Sequence, residues 1–157
     1  MPVEIEKVTT SDLPDVAKLA GELVRQHLAF DAKRFLHIKD PERGYEAWFN
    51  EELRNPKALI LCAKLDGKVV GYAYAREEPR DWNALLDKHC ALHDVLVAES
   101  ARQRGVGKQL LERVLTEMKA RGAPRVVLHT AVQNLAAQKL FASVGFRQTM
   151  LELTREL

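Results

Sequence analysis

The sequence predicts an α/β fold, and two observations carry that prediction. Helical periodicity in the first third gives way after Asn55-Pro56 to two strand-like runs separated by Asp66-Gly67. A strand, an Arg- and Gly-rich loop, a helix and another strand then follow between Cys90 and Thr130. The order is a β-α-α unit, an antiparallel hairpin and a strand–loop–helix–strand crossover.

Each element has a local cause. Val3 to Val8 alternates apolar and charged residues, the pattern of a strand with one wet face. Thr10 or Ser11 can cap a helix that tolerates Pro14 in its first turn, and Leu13, Val16, Ala17, Ala20, Leu23 and Val24 recur at helical spacing. Phe30 to Asp40 has no period and reads as a loop. Asp40-Pro41-Glu42 starts a second helix with Tyr45, Trp48, Phe49 and Leu53 as its apolar stripe. Ala58 to Leu65 and Lys68 to Ala75 form the hairpin around Asp66-Gly67, and Glu77 to Lys88 is a polar connection. A fourth strand runs from about Cys90 to Val97. A helix follows from Lys108 to Arg121, stopped by Gly122, with Pro124 just beyond. Val126 to Thr130 is a fifth strand, Leu135 to Ser143 a short helix, and Phe146 to Thr154 a last strand.

The 157 residues fit one domain, with enough chain to bury a core unaided. A net charge of +2 implies no general polyelectrolyte partner. Cys62 and Cys90 sit in apolar runs and read as two buried thiols rather than a disulfide or a nucleophile. The chain shows no signal segment and no apolar run near the roughly 20 residues of a membrane span, so a cytoplasmic location without membrane association is expected.

The most informative segment is Arg102-Gln103-Arg104-Gly105-Val106-Gly107-Lys108, between a strand and the N-terminus of a long amphipathic helix. Gly105 and Gly107 allow a tight turn, and the unpaired amides of the first helical turn, at the positive end of the helix dipole, face whatever lies there. This arrangement favours phosphate; the alternative is a glycine-rich turn with solvated arginines. A Walker A loop is excluded because Arg102 and Gln109 stand where it needs Gly and Ser or Thr. A dinucleotide fingerprint is excluded because Leu110 replaces its third glycine. The remaining pattern, Arg/Gln-x-x-Gly-x-Gly/Ala, matches at Arg102, Gly105 and Gly107.

That match, Leu92-His93-Asp94-Val95-Leu96-Val97 before it, and Asn134, Ala137, Leu140, Phe141 and Gly145-Phe146 after it resemble the GNAT superfamily of N-acetyltransferases. The resemblance spans the chain, with its specific part between Leu92 and Phe146. It implies the GNAT fold, a mixed, mostly antiparallel sheet of about six to seven strands flanked by about four helices, and acetyl-CoA as cosubstrate. In similar proteins the fourth and fifth strands splay apart and hold the pantetheine arm. Backbone groups of Val95, Leu96 and Val97 would pair with that arm, and an N–H near Val97 would stabilise the oxyanion. The amides from Arg102 through Gln103, Arg104, Gly105, Val106 and Gly107 to Lys108 would hold the pyrophosphate. Asn134 would contact the arm or cap the helix it begins.

The resemblance also implies direct attack by an amine, which needs a base to take the ammonium proton. Strand alternation places residues 91, 93, 95 and 97 on one face, so His93 is expected to look toward the acceptor. Many relatives carry Glu-Asp at His93-Asp94, which makes both residues catalytic candidates; a half-buried structural histidine is the alternative. Phe141 stands where many relatives have a tyrosine that protonates the departing sulfur. A thiol of pKa about 8.5 still leaves tolerably as thiolate, and Tyr72 and Tyr74 are other conceivable donors. No metal ligands are assigned.

Acceptor pockets in such proteins are built from the first two helices, the loop between them and the segment before the fourth strand. Here those contain His27, Asp31, Arg34, His37, Glu77, Glu78, Asp81 and Asp87, a set suited to a cationic amine or to a solvated surface, with Lys33, Arg34 and Arg80 against a purely cation-selective site. Trp48 and Phe49 line either that pocket or the core. The expected partners are acetyl-CoA and an amine acceptor, with no nucleic acid. The alternating segment Thr149 to Leu157 belongs to a region that similar proteins pair or exchange in a homodimer. The leading reading is a small-molecule amine acetyltransferase. The alternatives are a protein N-terminal or lysine acetyltransferase and a non-catalytic acyl-CoA-binding module.

Overall fold

The computed structural model describes residues 2–157. Five strands form one sheet in the order β1-β2-β3-β4-β5. They are β1 (Glu4–Lys7), β2 (Ala58–Leu65), β3 (Lys68–Glu78), β4 (His89–Val97) and β5 (Val126–Leu128). The first three pairings are antiparallel and the last, β4 with β5, is parallel. The helices are α1 (Leu13–Phe30), α2 (Pro41–Glu52), α3 (Val106–Ala120) and α4 (Leu135–Ser143).

Most of the expected elements form where their local signals place them. Asp40 caps α2 by accepting the Arg43 amide, with Pro41 at the first helical position, and Asp66-Gly67 turns the β2–β3 hairpin with both residues at positive φ. At the start of α1 the cap differs from the expected Thr10 or Ser11. Thr9 and Asp12 form a reciprocal capping pair around a 3-10 turn, Thr10–Asp12, and the α-helix begins at Leu13.

Two expectations are corrected. The sheet has five strands rather than six to seven, because Phe146 to Thr154 pairs with no strand; a period of two cannot make a ladder without a backbone partner. Residues 149–157 are all exposed, and Arg34 holds Glu152 by a two-pronged ion pair. Second, β3 runs on through Arg76, Glu77 and Glu78, opposite Ala91, Cys90 and His89. Its polar end belongs to the ladder because its charges have partners: Arg121 reaches Glu77 at 3.4 Å, and Arg76 lies 3.7 Å from Glu78.

The core has one layer on each sheet face. On one side Leu61, Ala73, Cys90 and Leu92 pack under Leu110, Leu111, Val114 and Met118 of α3. On the other, Ile60, Cys62, Tyr72, Tyr74 and Leu96 pack under Val16, Ala20 and Leu23 of α1 and Phe49 of α2. Coverage on both faces explains why the central runs of β2, Ala58 to Ala63, and of β3, Val69 to Ala75, are continuously apolar rather than alternating. Cys62 and Cys90 are free and buried, one in each layer, and burial pushes both thiols up to about 11.

The second layer contains a buried carboxylate, Glu52, held by the Tyr74 hydroxyl at 2.5 Å and the Asn55 amide at 3.1 Å. Tyr74→Phe removes the shorter bond and leaves a carboxylate oxygen under-satisfied. It is expected to cost about 1–3 kcal/mol of stability by denaturant unfolding. An unchanged midpoint would show that Asn55 and Arg76, the latter 3.9 Å away, satisfy the charge without the hydroxyl.

Candidate active site

The site begins with an irregularity in β4. Tyr74 pairs with Asp94 and Ala75 with Leu92, which leaves His93 as an extra residue in the ladder. Such a bulge breaks the alternation of side chains. Cys90 and Leu92 face α3, whereas Leu96, of the same parity, packs in the α1 and α2 layer. Residues 91, 93, 95 and 97 therefore do not share a face as simple alternation predicts. Val95 and Val97 pack on the α3 side, and both His93 and Asp94 line a cavity beside α2.

This cavity, about 510 Å³, takes a wall from each of three elements. Tyr45 and Trp48 come from α2, Tyr74, Arg76 and Glu78 from β3, and His93 and Asp94 from β4. The β3 residues follow from period two. On α2, positions 41, 44, 45 and 48 are one helical stripe, so Trp48 turns into the cavity while Phe49 enters the core. Burial pushes the Asp94 carboxyl up to about 6, although the Tyr72 hydroxyl donates to it at 3.1 Å and the two histidines nearby, His93 and His27, oppose the shift. Burial and the Asp94 charge push Tyr45 up to about 12. The His93 ring stacks on Tyr74 at 5.3 Å, with Nε2 3.6 Å from a Glu78 oxygen.

On the other edge of β4, β5 pairs only with Cys90 to Leu92, so the strand beyond the bulge is open there. The Ala98 amide donates to Val70 of β3, at 2.7 Å. By alternation the peptide groups of Val97 and Val95 point away from β3, toward the open edge, and those of Leu96 point into the ladder. Arg102 Nε donates to the Val97 carbonyl at 3.1 Å. Of the three residues expected to offer backbone groups, Val95 and Val97 turn theirs to the open edge and Leu96 turns its own into the ladder.

The loop after β4 carries Gln103 and Gly105 at positive φ, and Gly105 stands as the N-cap of α3. The Gln109 amide makes the first intrahelical bond, to Gly105, and no side chain caps the turn. The amides of Val106, Gly107 and Lys108 are therefore without intrahelical acceptors, beside Arg102 and Arg104. At Gly107 a Cβ would lie 2.9 Å from Leu140 of α4 and 3.6 Å from Val97, so the first turn of α3, the end of β4 and α4 meet there. Asn134 caps α4 by accepting the Ala137 amide at 3.2 Å. Phe141 is buried against Phe146.

The sequence model of the acetyltransferase (GNAT) family matches residues 23–146. The chain belongs to the GNAT acetyltransferase family. Among its relatives, an uncharacterized N-acetyltransferase, MJ1207, of Methanocaldococcus jannaschii is 27% identical over 92% of this chain and 60% of its own. An N-alpha-acetyltransferase of Sulfurisphaera tokodaii is 32% identical over 69% of this chain and 68% of its own. This GNAT chain thus spans 60% of the length of the first relative. The aminoglycoside N-acetyltransferase AAC(6')-Iy, solved in complex with CoA, superposes with a TM-score of 0.80 at 23% identity, covering 99% of this chain and 95% of that one, and so shares the fold.

Of the polar residues expected around the acceptor, Glu78 lines the cavity, and of the two aromatics Trp48 does so while Phe49 enters the core. Asp31 caps the turn after α1, Arg34 is paired with Glu152, Glu77 with Arg121, and Asp87 with Arg80. Asp81 holds the tip of the β3–β4 connection. Arg76 escaped the sequence reading, although continuing the Tyr72, Tyr74 alternation by two residues reaches it. Tyr72 and Tyr74, considered as proton donors to sulfur, have their hydroxyls on Asp94 and Glu52.

Proposed function

We propose that this GNAT chain is an acetyl-CoA-dependent N-acetyltransferase that acetylates a primary amine of a small molecule. The observation that carries the reading is the junction at β4. One edge of the strand presents the Val95 peptide groups and the Val97 amide beside a loop whose helix-start amides lack intrahelical acceptors, and its bulge presents an ionisable cavity. Acetyl-CoA supplies the acetyl group as a thioester. The amides of Val106, Gly107 and Lys108, with Arg102, Gln103 and Arg104 around Gly105, would hold its pyrophosphate. Val95 and Val97 would pair with the arm, with Asn134 and Phe141 from α4 beside it.

Asp94 is the proton acceptor in this reading. An ammonium of pKa near 10 gives its proton unwillingly to a carboxyl at about 6, so the minor neutral form of the amine attacks. As its lone pair bonds the thioester carbon the nitrogen becomes cationic, and Asp94 takes one of its now acidic protons while the C–S bond breaks. Raising Asp94 from the ordinary carboxyl range reduces the mismatch. His93, exposed at the mouth, positions Glu78 and the acceptor. Phe141 cannot protonate sulfur, so the thiol leaves as thiolate, which its moderate pKa allows.

Acetyl-CoA-dependent release of free thiol on addition of primary amines tests the reading, with calorimetric binding of acetyl-CoA measured in parallel. Binding without transfer to any amine would favour the non-catalytic acyl-CoA-binding module. Transfer confined to peptides would favour the protein acetyltransferase.

A cytoplasmic location is part of the proposal, supported by two free, buried thiols. So is a homodimer, supported by the unpaired C-terminal segment with Met150, Leu151 and Leu153 more than 80% exposed. Sedimentation equilibrium is expected to give twice the chain mass, and a chain truncated after Phe146 the single mass; a monomeric full chain would remove the dimer.

A further inference from the structure

The charge count and the wall of the cavity together say what kind of amine it takes. We infer that the acceptor is a monoamine carried on a neutral, apolar body of aromatic size, with its ammonium at Asp94 and its body against Trp48, Tyr45 and Ile38. The inference rests on the acetyltransferase reading and narrows it.

Three carboxylates lie at or behind the cavity, and two of them are already engaged. Glu52 is buried behind Tyr74, bonded to its hydroxyl and 3.9 Å from Arg76. Glu78 lies between Arg76, at 3.7 Å, and His93, at 3.6 Å. Among the described residues Asp94 is the one cavity carboxylate without an ion-pair partner within 4 Å, and it accepts a single hydrogen bond, from Tyr72. One uncommitted carboxylate matches one ammonium. A second cationic centre on the substrate would meet the Arg76 guanidinium on the same wall, and an anionic group would meet the Asp94 and Glu78 carboxylates.

The opposite wall is apolar. Trp48 is 42% exposed and Ile38 38% exposed, although each is large enough to be buried, and both turn into the cavity with Tyr45. An aromatic or alkyl body would cover them, and a polyhydroxylated or polycationic one would leave its polar groups unpaired there. The carboxylates that would suit a polycation, Asp31, Glu77, Asp81 and Asp87, are elsewhere and bonded to protein groups.

The test compares kcat/KM for 2-phenylethylamine and hexylamine with that for spermidine and neamine, at saturating acetyl-CoA. Burying a phenyl-sized group contributes enough that the two monoamines are expected to be favoured at least about tenfold. Trp48→Ala, at a partly exposed helix position, should lower the rate constant for 2-phenylethylamine about tenfold more than that for ethylamine. Preference for spermidine or neamine, or equal losses for 2-phenylethylamine and ethylamine in Trp48→Ala, would overturn the assignment while leaving the enzyme an acetyltransferase. Acetyl-CoA binding without thiol release from any of the amines would overturn both.

Discussion

Asp94→Asn is expected to lower kcat for amine acetylation by about 100-fold or more while making the protein more stable at neutral pH. The two effects have one cause. Burial holds the Asp94 carboxyl near 6 rather than 3.8, so the folded protein binds its proton more tightly than the unfolded chain does. The stabilisation from that proton is complete below about pH 4 and is lost as pH rises through about 6, leaving an ionised carboxylate in a site that disfavours it. That difference corresponds to a cost on the order of 3 kcal/mol at pH 7. Asn keeps the shape and still accepts the Tyr72 hydroxyl, so Asp94→Asn should recover part of this. A melting temperature several degrees higher at pH 7, and no higher at pH 4, is expected. The wild-type rate should rise through about pH 6 as Asp94 loses its proton. That limb should survive in His93→Ala and vanish in Asp94→Asn. The reverse pattern would make His93 the base and Asp94 a structural acid.

The comparison between sequence and structure turns on single residues. The turn before α3 was readable because its signal is local: glycines at 105 and 107 in front of an amphipathic helix dictate where the backbone turns and which amides stay unpaired. Most elements were readable for the same reason, through Asp40-Pro41, Asp66-Gly67 and Asn134. The face that His93 and Asp94 present was not, because one inserted residue in β4 reverses the parity, and a bulge depends on the partner strand's register rather than on the bulged residues. Arg76 was hidden, and Glu78 placed on a connection rather than on a strand, by the same kind of non-locality. Three charged residues after an apolar run look like the end of a strand until Arg121, 44 positions from Glu77 along the chain, supplies that residue with a partner. The last strand failed in the opposite sense, since alternation in Thr149 to Leu157 states a preference that only another backbone can satisfy.

Gly105→Glu is expected to abolish acetyl-CoA binding at concentrations that saturate the wild type, with the fold retained. Gly105 sits at φ +76 with open space around its missing Cβ, so a side chain there meets no steric obstacle and the backbone carries the cost. Holding a non-glycine residue in the left-handed region costs about 1–2 kcal/mol, too little to unfold the chain. The charge is what matters. A carboxylate at the N-cap of α3 can fold back onto the amides of Val106, Gly107 and Lys108, satisfying them and occupying the positive end of the helix dipole. It would also repel a pyrophosphate brought to the same amides. Gly105→Ala separates the two terms, since it carries the strain without the charge, and should weaken binding about tenfold or less. Calorimetry with acetyl-CoA checks both variants, and far-ultraviolet circular dichroism checks the fold. Equal losses in Ala and Glu would mean that loop geometry, not anion attraction, controls the site. Full binding by Gly105→Glu would place the pyrophosphate somewhere other than the start of α3.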